Sequence, residues 1–225
     1  GPVADLVGIR MSADGQAIEW QRDSIDQYAL RLLVPAGTSR LDVSLDFLSG
    51  LPDGKFASPA SLTTELAMIR WSQLVLYPSA VRPDDLAVEA SIKLPEGWQF
   101  ASALTEINAT SGNASEPVRF APVSLGTLVD STLLAGRYLR RLSLDESSRP
   151  VSLVVAADSP EALSVTPETE AQLRKLVREA DALFGARHFR RYVFLVALSD
   201  LVSHFGLEAH ESSENRIPEN SFTNS

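Results

Sequence analysis

Hydrophobic and polar residues alternate in short runs over roughly the first two thirds of the chain, which is the period of β-strands that have one solvent-facing side. Residues 41–47 alternate strictly and lead into the turn-forming stretch Ser-Gly-Leu-Pro-Asp-Gly at 49–54. Similar runs predict strands at 28–34, 66–77, 86–94, 98–101, 118–120 and 135–144. We therefore expect residues 1–148 to form a β-rich, sandwich-like domain, with one or two helical turns at 124–131 as a connector.

The pattern changes after residue 148. Residues 151–156 form a nearly all-apolar run of the kind found in buried strands, and a well-marked helix follows. Thr166 is the predicted N-cap, Pro167 the first helical residue and Gly185 the left-handed terminator. The predicted inner face of this helix consists of Leu173, Leu176, Val177, Ala180, Leu183 and Phe184.

A second buried strand is predicted at 192–198 and a shorter third strand at 206–213, before a polar stretch that begins at Glu214. Residues 149–225 thus read as a strand–helix–strand–strand unit, and the whole chain as an α+β protein. On a strand over 206–213, Glu208, His210 and Ser212 would share one side. The few apolar residues of this segment are typical of a sheet edge.

Composition narrows the function classes. The chain has 225 residues, is 44% hydrophobic and carries a net charge of −9, from 20 Lys and Arg against 29 Asp and Glu. It therefore lacks the electrostatic footprint of a nucleic-acid-binding protein. It contains no Cys, so thiolate catalysis and cysteine-ligated metals are excluded, and its apolar runs are too short to span a membrane.

The sequence contains few candidate catalytic or metal-binding motifs. The segment His210-Glu211-Ser212-Ser213-Glu214 has Glu where a zinc-hydrolase helix needs its second His. We interpret His188 and His204 as surface residues. The sequons at Asn108 and Asn113 belong to an ordinary polar loop at 108–116.

Five stretches, in this order along the chain, carry a family resemblance. They are Trp-Ser-Gln-Leu-Val-Leu-Tyr-Pro at 71–78, Lys-Leu-Pro-Glu-Gly-Trp-Gln-Phe at 93–100, Leu-Val-Asp-Ser-Thr-Leu-Leu-Ala-Gly-Arg-Tyr at 128–138, Phe-Gly-Ala-Arg-His-Phe at 184–189 and Gly-Leu-Glu-Ala-His-Glu-Ser-Ser-Glu-Asn-Arg at 206–216. Together they resemble the N-terminal region of the glycyl aminopeptidase family, zinc metallopeptidases that often carry a PDZ domain. The resemblance covers roughly residues 65–225, and the order of the stretches is its most specific feature.

The resemblance implies a β-rich N-terminal domain followed by a thermolysin-like catalytic domain. Gly206, Leu207, Glu208 and His210 would then bind substrate, on an edge strand that lines the cleft. An edge strand pairs with an extended peptide, and a carboxylate such as Glu208 can bind the free α-ammonium of an aminopeptidase substrate. This sequence has Ala209 where the family usually has His, so the role of His210 is open.

The family's zinc-binding helix, which supplies two ligands and the general base, has no counterpart in these residues. We therefore expect an inactive N-terminal fragment of a longer zinc enzyme, the parent protein, with zinc and peptide bound by the parent. Partial disorder after about Glu214, or self-association through the open sheet edge, is expected of such a fragment. A bacterial periplasmic or exported location is favoured over a cytoplasmic one. The alternative function is a non-enzymatic β-sandwich module that binds protein or glycan.

Overall fold

The structure is a computed structural model that describes residues 2–50, 61–107 and 116–223. The predicted polar loop at 108–116, with Asn108 and Asn113, lies almost wholly outside the described residues. The contacts divide the chain into two compact units, Gly1–Gly50 and Leu51–Ser225.

The first unit is built from antiparallel strands. Their bounds are β1 Leu6–Ala13, β2 Gln16–Ile18, β3 Trp20–Arg22, β4 Leu30–Leu32 and β5 Leu41–Phe47, after a 3₁₀ turn at Pro2–Asp5. Strand β1 pairs with β2 on one side and β5 on the other, and β3 pairs with β4. The β1–β2 hairpin turns on Asp14 and Gly15, which both have positive φ (46° and 83°), as the tightest hairpin loops require. The strand predicted at 41–47 is confirmed, whereas the one at 28–34 shortens to Leu30–Leu32.

The second unit contains the remaining elements. They are β6 Leu66–Ile69, β7 Ala87–Val88, β8 Ser91–Ile92, β9 Gln99–Ser102, β10 Val118–Arg119, β11 Val123–Ser124, α1 Leu125–Val129, β12 Leu133–Gly136, β13 Tyr138–Asp145, β14 Val151–Ala157, α2 Pro167–Phe184, β15 Tyr192–Leu198, β16 Phe205–Glu208 and β17 Ser212–Ile217, with 3₁₀ turns at Trp71–Gln73, Pro83–Asp85 and Glu161–Leu163.

A mixed sheet with the strand order β13-β14-β15-β17-β16 is the centre of this unit. Strands β14, β15 and β17 run parallel, and antiparallel strands flank them on both sides. One face packs on a smaller sheet with the order β6-β12-β9, where Leu66, Leu134 and Leu195 are fully buried. Helix α2 covers part of the other face through Val177 and Leu173. The α+β prediction is therefore confirmed. After residue 148 the order is strand–helix–strand followed by two strands, β16 and β17, where the sequence predicted one.

Helix α2 begins and ends as predicted. The Thr166 hydroxyl accepts the Thr169 N–H, and Gly185 adopts the left-handed conformation with φ of 68°. Its predicted inner face is only partly correct, because contact with the core is made at Leu173 and Val177. Leu176, Leu183 and Phe184 are 54%, 77% and 74% exposed.

Three predicted strands are interrupted in the structure. The run at 86–94 forms the two short strands β7 and β8, which pair with β11 and β10 respectively. The run at 66–77 leaves the sheet after Ile69, since Trp71–Gln73 forms a 3₁₀ turn. The run at 135–144 belongs to two sheets, because β12 pairs with β6 and β9 whereas β13 pairs with β14. Only Arg137 separates these strands, at a point where a Cβ on Gly136 would lie 3.1 Å from the Glu65 carbonyl oxygen and 3.2 Å from the Ala156 Cβ. The two sheets therefore touch where the chain crosses between them.

The predicted domain boundary after residue 148 lies in the loop of the β13–β14 hairpin. This boundary would separate two domains of the parent protein, and it stays a prediction.

The partial disorder predicted after about Glu214 is not found in the described residues, which extend to 223. Strand β17 extends to Ile217 inside the mixed sheet, and hydrogen bonds such as Ser221 N–H to the Pro218 carbonyl order the turn after it. None of the helices among the described residues is long and apolar enough to cross a membrane.

Candidate functional site

The predicted site residues lie at one edge of the mixed sheet. Gly206, Leu207 and Glu208 are on β16, which is the terminal strand and pairs with β17. His210 lies in the tight turn between these two strands. The edge position that the family resemblance implied is therefore observed.

The single strand predicted over 206–213 is wrong, because the chain reverses at His210 and Glu211. The Ala209 N–H donates to the Ser212 carbonyl at 2.8 Å, which closes a hairpin with a two-residue loop. Glu208 and Ser212 consequently lie on neighbouring strands, and Glu208 stands opposite Ser213. The reversal leaves β16 outermost and places β17 inside the sheet.

The hairpin fixes which backbone groups of β16 face outward. Hydrogen-bonded and non-hydrogen-bonded pairs alternate along an antiparallel ladder. Since Ala209 and Ser212 form a hydrogen-bonded pair, the next such pair is Leu207 with Glu214, two residues along each strand. The N–H and C=O groups of Gly206 and Glu208 therefore point away from β17, toward the open side of the sheet.

The surface beside these groups is open and carries the Glu208 carboxylate. A Cβ on Gly206 would meet no other atom within 4 Å, and the Glu208 side chain is exposed. Burial raises the pKa of the Tyr192 hydroxyl, a hydrogen bond with Ser213 lowers it, and the charges of Glu208 and Asp130 raise it. The two carboxylates therefore act on the same region of the sheet face.

The turn after β16 is fixed from two sides. The His210 N–H donates to Asp130 Oδ2 at 2.9 Å, which ties the turn to the C-cap of α1. The Glu211 carboxylate accepts from the Arg190 N–H at 2.9 Å and from its Nη2 at 2.6 Å. The Arg190 hydrogen bonds hold the pKa of Glu211 below its ordinary value. The His210 side chain itself is exposed.

A cleft of about 820 Å³ adjoins this turn. Its lining includes Thr127, Asp130, His188 and His210 but not Glu208. Its three arginines are already engaged. Arg187 donates to Asp145 at 2.6 Å and also to Asp181, Arg190 binds Glu211, and Arg149 donates to the Arg187 carbonyl. The cleft therefore extends the edge without forming a preformed anion site.

A buried ion cluster, formed by Glu214, Arg70 and Arg216, lies behind β16. It is not predicted from the sequence, because Glu214 begins a polar stretch that is expected to be exposed. Glu214 is 1% exposed and accepts from Arg70 Nε at 2.7 Å, Arg70 Nη2 at 2.8 Å and Arg216 Nε at 2.7 Å. Burial lowers the pKa of Arg216, and the Glu214 charge opposes this shift. Glu and Arg at positions i and i+2 of a strand share a face, and this is the sequence signal that could have indicated the cluster.

The described part of the chain does not contain a zinc site. Across residues 2–50, 61–107 and 116–223, no three His, Cys, Asp or Glu side chains are grouped so that they could hold a metal ion. His188 and His204 are exposed, as predicted for surface residues.

The fold has solved counterparts among peptidases. An aminopeptidase N family protein from Idiomarina loihiensis superposes with a TM-score of 0.73 at 18% identity, over 98% of this chain and 35% of that protein. An M1 zinc metallopeptidase from Deinococcus radiodurans, solved as a mutant with a Tyr-Ser-Ala substrate, gives a TM-score of 0.51 at 23% identity, over 96% of this chain and 52% of that protein. The chain thus spans about a third to a half of the length of these structures, and at such identities the likeness shows the fold.

Residues 1–137 match the family model for the Peptidase M61 N-terminal domain. The chain belongs to this family, and the family-level resemblance proposed from sequence is confirmed. No curated protein sequence gives a significant match. Strands β16 and β17 lie beyond residue 137, so the site at the sheet edge stands on its own geometry.

Proposed function

We propose that the chain is the N-terminal part of a zinc-dependent aminopeptidase, in which β16 binds the peptide substrate as an additional strand. The observation that carries the proposal is the outward backbone edge of Gly206 and Glu208 on a terminal strand. Main-chain hydrogen bonds to such an edge supply affinity that does not depend on the substrate's side chains. Membership of the M61 family and the fold shared with zinc aminopeptidases support a peptidase parent.

Glu208 is the proposed recognition group for the substrate's free α-ammonium. Its carboxylate is exposed at the end of the edge strand. A charge-assisted hydrogen bond between carboxylate and ammonium is stronger than a neutral one and would distinguish a free N-terminus from an acylated one. His210 continues the same surface into the cleft. We also propose a preference for glycyl substrates, on the basis of the family resemblance alone.

In this proposal, the zinc ion is bound by the parent protein. The described residues do not supply its ligands, so we derive no catalytic step through the metal. The 225-residue chain should therefore bind peptide without hydrolysing it. Zinc-dependent release of an N-terminal residue by the purified chain would show that this part of the proposal is wrong.

A pair of proline variants tests the edge. Gly206→Pro removes an N–H that points outward, so the fold should remain and binding of a short free-amine peptide should weaken on the order of tenfold, the loss expected for one main-chain hydrogen bond. Leu207→Pro is the matched control, because it removes an inward N–H and should disrupt the β16–β17 pair. Binding is measured by titration and the fold by circular dichroism. Equal peptide affinity for Gly206→Pro and the wild type would rule out strand addition at β16.

Glu208→Gln tests the recognition of the α-ammonium. The variant should lower affinity for a free-amine peptide, leave affinity for its N-acetylated form unchanged and leave the unfolding midpoint unchanged, because the side chain is exposed. In the parent enzyme the same change should reduce aminopeptidase activity far more than stability. Unchanged kinetics of the Glu208→Gln parent enzyme would show that Glu208 is an ordinary charged residue on a solvent-facing edge strand.

Thermolysin-like architecture after residue 148, self-association and an exported location remain proposals. The open backbone edge of β16 and the exposed Leu183 and Phe184 on α2 support self-association of the isolated chain. Sedimentation at increasing concentration tests it.

A further inference from the structure

The buried ion cluster also contacts the first residue of the edge strand. The Arg70 guanidinium carbon lies 4.0 Å from the centroid of the Phe205 ring, and that of Arg216 lies 5.3 Å from it. A guanidinium at this distance is attracted to the face of an aromatic ring, and the attraction grows when both groups leave water. The side chain of Arg70 is only 18% exposed. Phe205 therefore links β16 to the cluster.

The cluster reaches β16 from a distant part of the sequence. Arg70 follows strand β6, and its partner Glu214 is 144 residues further along the chain. Two Arg70 donors meet the two Glu214 oxygens, at 2.7 and 2.8 Å, while Arg70 also lies against Phe205. Only a planar fork with several donors can make both contacts, so lysine is not an equivalent residue here.

Strand β16 needs such support because it is short and has a sheet partner on one side. Its far end is closed by the Ala209–Ser212 hydrogen bond and by the bond from His210 to Asp130. Its near end, at Phe205, is where the arginine contacts act. Terminal strands open locally at low free-energy cost unless side chains fix them.

We propose that Arg70 is a positioning residue for the peptide-binding edge: held by Glu214, it fixes Phe205 and thereby the register of Gly206 and Glu208. This inference rests on the proposed function, because the edge matters only if it binds peptide. Hydrogen bonds are directional, so displacement of the outward Gly206 and Glu208 groups would weaken a paired peptide even though neither group is altered. Arg70 contacts no substrate in this scheme.

The experiment uses the 225-residue chain with the variants Arg70→Gln, Arg70→Lys and Phe205→Leu. Arg137→Gln is the matched control, since Arg137 pairs with Glu65 at 2.9 Å but is 54% exposed. Two quantities are measured by NMR: the amide exchange rates of Leu207 and Ala209 relative to Leu195 in β15, and the affinity for the tripeptide Gly-Ala-Ala.

Arg70→Gln should speed exchange at Leu207 and Ala209 about tenfold or more, as expected for loss of a desolvated charge contact, with a smaller change at Leu195. Tripeptide affinity should fall by a similar factor. Arg70→Lys should recover part of both effects, and Arg137→Gln should match the wild type. If Arg70→Gln unfolds the chain, the Phe205→Leu variant tests the positioning role instead. This variant keeps an apolar side chain but removes the aromatic face that the arginines contact.

Unchanged exchange at Leu207 and Ala209 in Phe205→Leu would overturn the positioning role. Faster exchange with unchanged tripeptide affinity would also overturn the positioning role. That result would leave the proposed function unaffected. If the wild type shows no tripeptide contact at the Gly206 and Glu208 amides, the proposed function itself fails, and the positioning role fails with it.

Discussion

Strands β15 and β17 are neighbours in the mixed sheet and are buried to a similar degree, yet their chemistry is opposite. β15 reads Tyr-Val-Phe-Leu-Val-Ala-Leu, whereas β17 reads Ser-Ser-Glu-Asn-Arg-Ile. Leu195 and Glu214 stand side by side in the register, with exposures of 0% and 1%. A buried leucine requires only close packing, but a buried carboxylate requires partners in fixed places. The comparison shows that β15 is buried by apolar packing, whereas Glu214 in β17 is buried against the charges of Arg70 and Arg216.

The largest effect should come from removing the charge of β17. Glu214→Gln keeps the volume but leaves Arg70 and Arg216 buried beside a neutral amide, which should cost about 3–5 kcal/mol of unfolding free energy. Urea unfolding measures this cost. A cost below about 1 kcal/mol, the range of exposed ion pairs, would show that β17 does not depend on its charges.

The matched change in β15 should be somewhat smaller and different in kind. Leu195→Ala leaves a cavity and should cost about 3 kcal/mol, within the range for buried leucines. The cost should be insensitive to salt, because no charge is involved. A strong salt dependence for Leu195→Ala would contradict the separation of the two strands into apolar and ionic types.

The smallest effect concerns the contact that joins the starts of the two strands. Arg190 precedes β15 and Glu211 precedes β17, and the Arg190 hydrogen bonds lower the pKa of Glu211 below its ordinary value. A carboxylate with a depressed folded-state pKa stabilises the protein fully above its ordinary value and loses that contribution as pH falls through the folded value. Since Arg190 is 70% exposed, the contribution should be about 0.5–1 kcal/mol.

Glu211→Gln should therefore destabilise the chain slightly at neutral pH and converge with the wild type in acid. Urea unfolding at about pH 7 and about pH 3 makes the comparison. A difference that grows on acidification would mean that the charge of Glu211 opposes folding.

Local signals explain which elements could be predicted from the sequence. Thr166 and Gly185 mark the ends of α2 through their own backbone preferences, so neither needs a distant partner. β17 has only the weak signal of Glu214 and Arg216 on one face, because the partner that completes the burial of Glu214 is Arg70, far away in the sequence. A period-two pattern with few apolar residues indicates solvent exposure, and the tertiary partners override it.

The candidate site is predictable only in part. The family resemblance indicates an edge strand at Gly206 to Glu208, and the structure has one. The reversal at His210 and Glu211 is not predicted, because neither residue is a glycine, asparagine or proline of the kind that usually marks a hairpin turn. The role proposed for Phe205 depends on a contact across the fold that a single sequence does not encode locally.

The crossing at Gly136 and Arg137 has a mechanical consequence. The family match ends at residue 137, which suggests a natural joint between an N-terminal module and the remaining strands. Only Arg137 separates the two strands, however, and a Cβ on Gly136 would lie 3.1 Å from the Glu65 carbonyl oxygen and 3.2 Å from the Ala156 Cβ, which is tighter than ordinary van der Waals contact. The end of the family match is therefore closely packed, and we expect it to be a poor hinge. Bending at this point would require Glu65 and Ala156 to shift, so we expect the sheet that carries β16 and the smaller sheet packed on it to move together.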